Sequence, residues 1–273
     1  HHHGSSSDRL SMPPVNIAVA GAGVIGRAHI AVIAQSSQCR LSAIADPSEA
    51  AQALAQEHGV PWFATLDQLL AAVSPDGVIL ATPNAMHVPQ ALQCIAAGVP
   101  VLVEKPIAHT VADAQKLVQA TQAHQAKVLI GHHRAHSPIM RQAQAVIDEG
   151  RLGQLVSVVG SAMFYKPDDY FTQAPWRCEV GGGPILINLI HEIHNLRMLC
   201  GEIAQVQAMT SNAVRGFAVE DTASITFRFA SGVLASFMLS DTAASARSWE
   251  QTSQENKAYA SYDDEDCYVI AGT

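Results

Sequence analysis

The stretch Val15 to Gly26, VNIAVAGAGVIG, limits what this chain can fold into more than any other. A run of small and β-branched residues ends in Gly21, Gly23 and Gly26, and an apolar-periodic segment with Ile30, Ile33 and Ala34 follows, so the pattern reads strand, tight turn, helix. Gly21 permits the turn, Gly23 lets the backbone approach a pyrophosphate with no Cβ in the way, and Gly26 lets helix and strand pack closely. The first N–H groups of the helix then face the phosphates, and Val24 and Ile25 count with the glycines as cofactor-binding positions. The next strand, LSAIAD, ends in Asp46, near the roughly 20-residue offset at which a carboxylate takes the ribose hydroxyls. Pro47, Ser48 and Glu49 after it offer no arginine to a 2′-phosphate, and Glu49 adds negative charge, so the expected cofactor is NAD in preference to NADP.

Helical and extended stretches alternate after Asp46 at the pace of βαβ units. The spacing predicts a helix over Glu49 to His58 closed by Gly59, a short strand Trp62 to Ala64, a helix Gln68 to Val73 capped by Asp67, and a turn at Ser74-Pro75-Asp76-Gly77. Strands follow at VILATP, PVLVEKP and Val128 to Gly131, with helices Val88 to Ala97 and Val111 to His124 between them; their unalternated apolar runs suit parallel strands buried on both faces. The expected architecture is an N-terminal doubly wound α/β (Rossmann) sheet, whose candidate site residues stand just after each strand. These are Thr82, Asn84 and His87; Glu104, Lys105 and Pro106; and His132, His133, Arg134 and His136.

Beyond a helix at Met140 to Glu149 the pattern becomes strand-like, at Leu155, at Val206, and over Ala223 to Leu239, where Ile225, Phe227 and Phe229 share a face and Ser231-Gly232 makes a hairpin. This predicts a second, α+β domain with a mostly antiparallel sheet and one buried helix, Ile185 to Cys200, opened by Pro184. The domain boundaries are drawn at 12–136 and 137–273. Tyr165, Lys166, Asp168, Asp169 and Tyr170 either line a polar pocket or form a solvated loop, and the loop is the expectation; Thr242 to Asp266 also reads as loop. CYVIAGT at the end reads as a strand cut off before a turn, so further strands are expected after Thr273.

His1 to Ser11 look like an expression-tag remnant, with Met12 the native start. A net charge of -8 argues against nucleic acid, which needs clustered Lys and Arg. No apolar run reaches the roughly 18 residues of a membrane span, so the expectation is a cytoplasmic chain with no membrane partner. Five scattered cysteines with no CxxC pair favour reduced thiols.

GAGVIG, ATPNAMH, VEKPIA, GHHRAHSP, APWR followed by GGG, and HEIHNLRMLCG occur in the order and at the spacing of the Gfo/Idh/MocA oxidoreductases, the family of glucose-fructose oxidoreductase and inositol dehydrogenase, which the chain resembles from Val15 to about Asp241. The resemblance implies hydride transfer between nicotinamide and a secondary hydroxyl of a polyhydroxylated small molecule. It places Lys105 beside nicotinamide and substrate, makes His191 the acid–base residue, brings Thr82, Asn84 and His87 to the cofactor, and sets Trp176 and Arg177 near its nicotinamide end. Glu104 and Pro106 would hold the turn that aims Lys105, with Glu104 counted among the cofactor-binding positions. Arg134 stands with these residues on one reading and is a structural arginine on the other. The resemblance also implies a homodimer or homotetramer through the C-terminal sheet. The chemistry wants such a pair, because alcohol oxidation needs a group of near-neutral pKa to take the proton and a cation to steady the alkoxide.

Two departures stand out. Ile187 occupies the place four residues before His191 where the family commonly has aspartate, with Asn188 next to it, and His194 replaces a frequent aspartate. Asn188, His191 and Asn195 fall on one face of a regular helix, so Asn188 is a candidate to orient His191 or bind a substrate hydroxyl. One rival keeps the fold but cleaves glycosidic bonds with retained NAD, or only senses the dinucleotide. Another has His132, His133 and His136, or His191, Glu192 and His194, ligating zinc; HEIHN lacks the second histidine at i+4, so no metal is expected.

Overall fold

The structure, a computed structural model, describes Met12 to Thr273; the tag-like residues 1–11 lie outside the described residues. The chain divides into two units, one ending at Gly131 and the other starting at His132.

The first unit runs β1 (Val15–Ala20), α1 (Val24–Gln35), β2 (Cys39–Ala45), α2 (Glu49–His58), β3 (Trp62–Phe63), α3 (Leu66–Ala72), β4 (Gly77–Leu80), α4 (His87–Ala96), β5 (Val101–Glu104), α5 (Val111–Ala123) and β6 (Val128–Gly131). All six strands are parallel, in the order β3-β2-β1-β4-β5-β6. The order reverses between β1 and β4, which opens a crevice at their carboxyl ends. Ala18, Ala20, Leu80 and Val103 bury one face, and Val19, Ile44 and Ile79 bury the other against Ile30 and Ile33 of α1. Burial on both faces is why these strands lack alternation. Gly59 closes α2 in the left-handed conformation, as its position predicts.

The cap of α3 differs from expectation. Thr65, not Asp67, is the N-cap, accepting the Gln68 N–H at 3.3 Å. Starting at Leu66 sets the buried Leu66 and Leu69 on one face of the core, and Asp67 falls in the first turn, where its charge suits the helix dipole. β4 also ends earlier than VILATP suggests, at Leu80.

The second unit contains α6 (Pro138–Asp148), β7 (Leu155–Met163), α7 (Asp168–Gln173), α8 (Ile190–Cys200), β8 (Ile203–Ser211), β9 (Thr222–Phe229), β10 (Leu234–Ser240), α9 (Trp249–Thr252) and β11 (Tyr268–Gly272). Its sheet order is β11-β7-β10-β9-β8. Ile225, Phe227 and Phe229 point inward together, joined by Ala235, Phe237 and Leu239 across the hairpin and covered by Met140, Leu196 and Leu199. The other face leaves Val159, Met209, Leu234, Met238 and Val269 exposed.

The sheet is mostly antiparallel, as expected, with one parallel pair: β7 and β10 run in the same direction, because the long connection through α8 and β8 returns the chain beside β7. Three expectations are corrected here. The buried helix is not uniform, since Ile185–Leu189 form a π-helical turn before regular α8 begins. The Tyr165 to Tyr170 segment is no solvated loop: α7 starts within it and Lys166 is buried. Within Thr242 to Asp266, Ser248 caps α9 and plants Trp249 in the core.

Candidate active site

In the first unit the glycine turn has the geometry a dinucleotide needs. Gly21 has φ +98° and donates its N–H to Ala45 O at 2.8 Å. A Cβ there would strike the Ala81 carbonyl, and one at Gly26 would strike that of Gly21. Around Gly23, by contrast, a Cβ would meet nothing within 4 Å among the described residues. That open backbone, at the N-cap of α1, is where a pyrophosphate fits. Val24 and Ile25 beside it are 83% and 50% exposed. Asp46 accepts N–H groups from Ala22 at 2.9 Å and Ser48 at 2.8 Å. Burial pushes its pKa up, but the hydrogen bonds from Ser48 and Ala22 and the charge of Arg27 outweigh this and hold it below the usual carboxylate value. A cleft of about 510 Å³ lined by Asp46, Pro47, Thr65, Thr82, Met86 and Gln90 adjoins it and suits an adenosine.

Asn84 is exposed after β4, and Thr82 donates from Oγ1 to Gln90 Oε1 at 2.5 Å. His87 is fully buried; its Nδ1 lies 2.7 Å from Pro106 O and its Nε2 2.8 Å from Thr82 O. Both ring nitrogens are taken by backbone carbonyls, so the ring ties the β4 loop to the Lys105-Pro106 turn and leaves no nitrogen for a ligand. Glu104 meets His29 Nε2 at 2.6 Å and accepts the Lys105 N–H at 3.3 Å. Burial would raise its pKa, but His29 and Lys105 together lower it. Lys105, half-buried and followed by a cis bond to Pro106, is thereby fixed at its root. His29 escaped the sequence reading; the only signal was its place three residues after Gly26, on the helix that opens at the glycine turn.

The second unit gathers histidines. The buried His191 on α8 lies edge-on to His133 at 5.2 Å between ring centroids, and His194 stacks on His132 at 4.6 Å. Burial, with Arg197 and His136 nearby, lowers the His194 pKa. Arg134, which the sequence leaves open between the cofactor group and a structural arginine, makes the contacts of the second. It is buried, donates to Glu192 and Glu250 at 2.6 Å each, and lies 5.3 Å from the Trp249 ring. Both terminal nitrogens are committed to carboxylates, which makes it a structural clamp between the His133–His136 turn, α8 and α9. Burial pushes Glu192 up to about 7 although Arg134 pulls it down, whereas the two carboxylates outweigh burial at Arg134 and raise its pKa. With Glu192 so engaged, the described residues show no group of three or more His, Cys, Asp or Glu arranged to hold a metal.

Asn188 lies in the π turn, and its Oδ1 accepts from Lys166 Nζ at 2.5 Å. This partner was missed in sequence, where Lys166 sat among aspartates as loop. Trp176 is half-exposed, and Arg177 donates to Tyr170 O at 2.7 Å.

Two family profiles match the chain. One, described as an oxidoreductase family with an NAD-binding Rossmann fold, covers residues 15–132; the other, the GFO/IDH/MocA C-terminal domain, covers residues 140–272. Among curated relatives, 1,5-anhydro-D-fructose reductase of Ensifer adhaerens is 34% identical over 72% of this chain and 60% of its own length. Inositol 2-dehydrogenase of Rhizobium meliloti is 29% identical over 80% of this chain and 66% of its own. The chain thus spans less than two thirds of the length of either. Among solved structures, the WlbA dehydrogenase from Bordetella pertussis, in complex with NADH and UDP-GlcNAcA, superimposes with a TM-score of 0.77 at 27% identity, over 84% of this chain and 72% of that one.

Proposed function

The chain belongs to the Gfo/Idh/MocA oxidoreductase family, and on that premise we propose that it moves a hydride between nicotinamide and a secondary hydroxyl of a sugar, polyol or similar small molecule. The observation that carries this reading is the root of Lys105, held by Glu104 and His29 at the end of β5 in the unit that has the dinucleotide turn. NAD, when bound, supplies the hydride acceptor. Gly23 and the first turn of α1 take its pyrophosphate, and Asp46 takes its ribose hydroxyls. His191 receives the hydroxyl proton during oxidation, Lys105 steadies the developing alkoxide, and Asn188 positions the substrate or the imidazole. Trp176 and Arg177 are assigned to the nicotinamide end.

The ionised Asp46 favours NAD, since a 2′-phosphate would meet like charge with no arginine to offset it. Dissociation constants measured for both dinucleotides test this, and tighter NADP binding overturns it. Steady-state NADH formation with sugars, inositols and hydroxy acids tests the reaction; tightly held NAD with no net turnover on any of them overturns it. The exposed face formed by Val159, Met209, Leu234, Met238 and Val269 supports a homodimer or homotetramer through the sheet, and a monomer in light scattering at micromolar concentration rejects that assembly.

A further inference from the structure

Lys166 is the least expected side chain in the second unit. Its backbone is fixed on both sides, the N–H donating to Asp241 O at 2.8 Å and the carbonyl accepting from Arg215 Nη2 at 2.6 Å. The ammonium is therefore aimed, not trailing in solvent. It is only 7% exposed, stands 4.7 Å from the Tyr170 ring centroid and 5.4 Å from that of Phe164, and donates to Asn188 Oδ1. An ammonium carries three N–H donors, and Asn188 is its one acceptor among the described residues. On the same Tyr170 ring lies a second cation, the Arg177 guanidinium, 3.8 Å from the centroid. Its Nε is buried and finds no acceptor among the described residues.

Neither nearby carboxylate is hydrogen-bonded to Lys166 or Arg177: Asp241 accepts from Arg215 at 3.0 Å, and Glu250 accepts from Arg134 at 2.6 Å through Oε1, its buried Oε2 having no partner among the described residues. Two cations thus share one aromatic ring with donors unused and no carboxylate bonded to either, next to the residue one turn before His191. Unused buried donors are costly, and a neutral hydroxyl would satisfy one without offsetting the charge. A carboxylate does both, since its two oxygens accept up to four hydrogen bonds. Burial, reinforced by Arg177 and Arg215 against Asp241 and Glu250, pushes Lys166 down to about 8, so it is still charged at neutral pH.

We propose that Lys166, Arg177 and Asn188, gathered about the Tyr170 ring, form an anion subsite that takes the carboxylate of an acidic sugar or polyol and so determines which substrate the enzyme prefers. The proposal rests on the dehydrogenase reading and names the substrate class within it.

The test compares paired probes that differ only in the carboxylate, D-glucose with D-glucuronate and D-galactose with D-galacturonate, with D-glucose 6-phosphate as a second anion, each followed as NADH formation by the NAD-loaded chain. The expected result is a kcat/KM at least about tenfold higher for an acid than for its neutral partner, the scale of one charge-assisted hydrogen bond. Lys166→Met should erase that ratio, mainly through KM, and Lys166→Gln should do the same if the methionine variant fails to fold. Lys116→Met, on the exposed side of α5, should leave the ratio as it is. A preference for the neutral sugars or for the phosphate overturns the subsite, as does a Lys166→Met variant that loses kcat equally on both members of a pair. If no sugar yields NADH, the dehydrogenase reading fails by itself; calorimetric titration of D-glucuronate then decides the subsite, which stands if binding depends on Lys166 and falls if there is no binding.

Discussion

In the first unit the carboxylate proposed to take the cofactor's ribose, Asp46, is held by backbone N–H groups and remains open to the adjoining cleft. In the second, Arg134, Glu192 and Glu250 converge from segments as much as 116 residues apart and are almost sealed from water. The first arrangement depends on backbone shape, which glycine and a tight turn supply locally. The second depends on mutual compensation of buried charges, which fails as a whole when one partner is lost. A fold can thus carry one site that tolerates side-chain change and another that does not.

The largest test of this contrast is Arg134→Met. Removing the guanidinium leaves two buried carboxylates uncompensated, and the expected loss is about 3–5 kcal/mol of unfolding free energy by denaturant titration. Asp46→Asn, by comparison, should cost about 1 kcal/mol or less, since it keeps the volume and leaves no buried charge behind. Equal losses would break the distinction between the units.

Next comes chemistry, where the two units are expected to match. Lys105→Ala and His191→Ala should each lower turnover on the order of 100-fold, about 2.7 kcal/mol, while NAD affinity stays within a few-fold, because both groups act on charge that develops during hydride transfer. If His194→Ala abolishes turnover and His191→Ala does not, the acid–base role belongs to the other histidine.

The smallest effect sharpens the comparison from the opposite direction. Lys166 binds its proton less tightly when folded, near 8 against the ordinary 10.5, so below pH 8 its buried charge opposes folding by about 3 kcal/mol, and this cost disappears as pH rises from 8 to 10.5. Lys166→Met loses the charged hydrogen bond to Asn188, worth about 2 kcal/mol, and should still be more stable than the parent by about 1 kcal/mol at pH 7. The gap should shrink as pH climbs through that window. A variant less stable at pH 7 would mean that Lys166 serves packing and not recognition.

The first unit was largely legible in sequence because its determinants are local. Gly21, Gly23, Gly26 and Asp46 lie within one βαβ unit, and the helix limits at Glu49, His58 and Gly59 follow from caps read within a few residues. Even there the Thr65 cap of α3 was misjudged, because both Thr65 and Asp67 are good capping types and only the inward placement of Leu66 decides between them. The second unit hid more. Nothing near Arg134 in sequence announces Glu250, and a lysine between tyrosine and proline gives no sign that Arg215 and Asp241 will pin its backbone and bury its head. Long-range compensation leaves no periodic trace.

The π-helical turn at Ile185–Leu189 has a further implication, for chain length. Downstream, α8 is anchored by the Arg134 clamp on Glu192; upstream, the Ile185 N–H is anchored to Glu220 Oε1 at 3.0 Å. Between these two fixed points the wide turn holds slack of one residue. Deleting Leu189 would let the helix close to a regular pitch and would rotate Asn188 by about 100° about the axis relative to His191, away from Lys166. The turn therefore acts as a phase adjuster, and a one-residue change of length in this segment exchanges one partner of the proposed acid–base histidine for another without altering any residue of the helix that carries it.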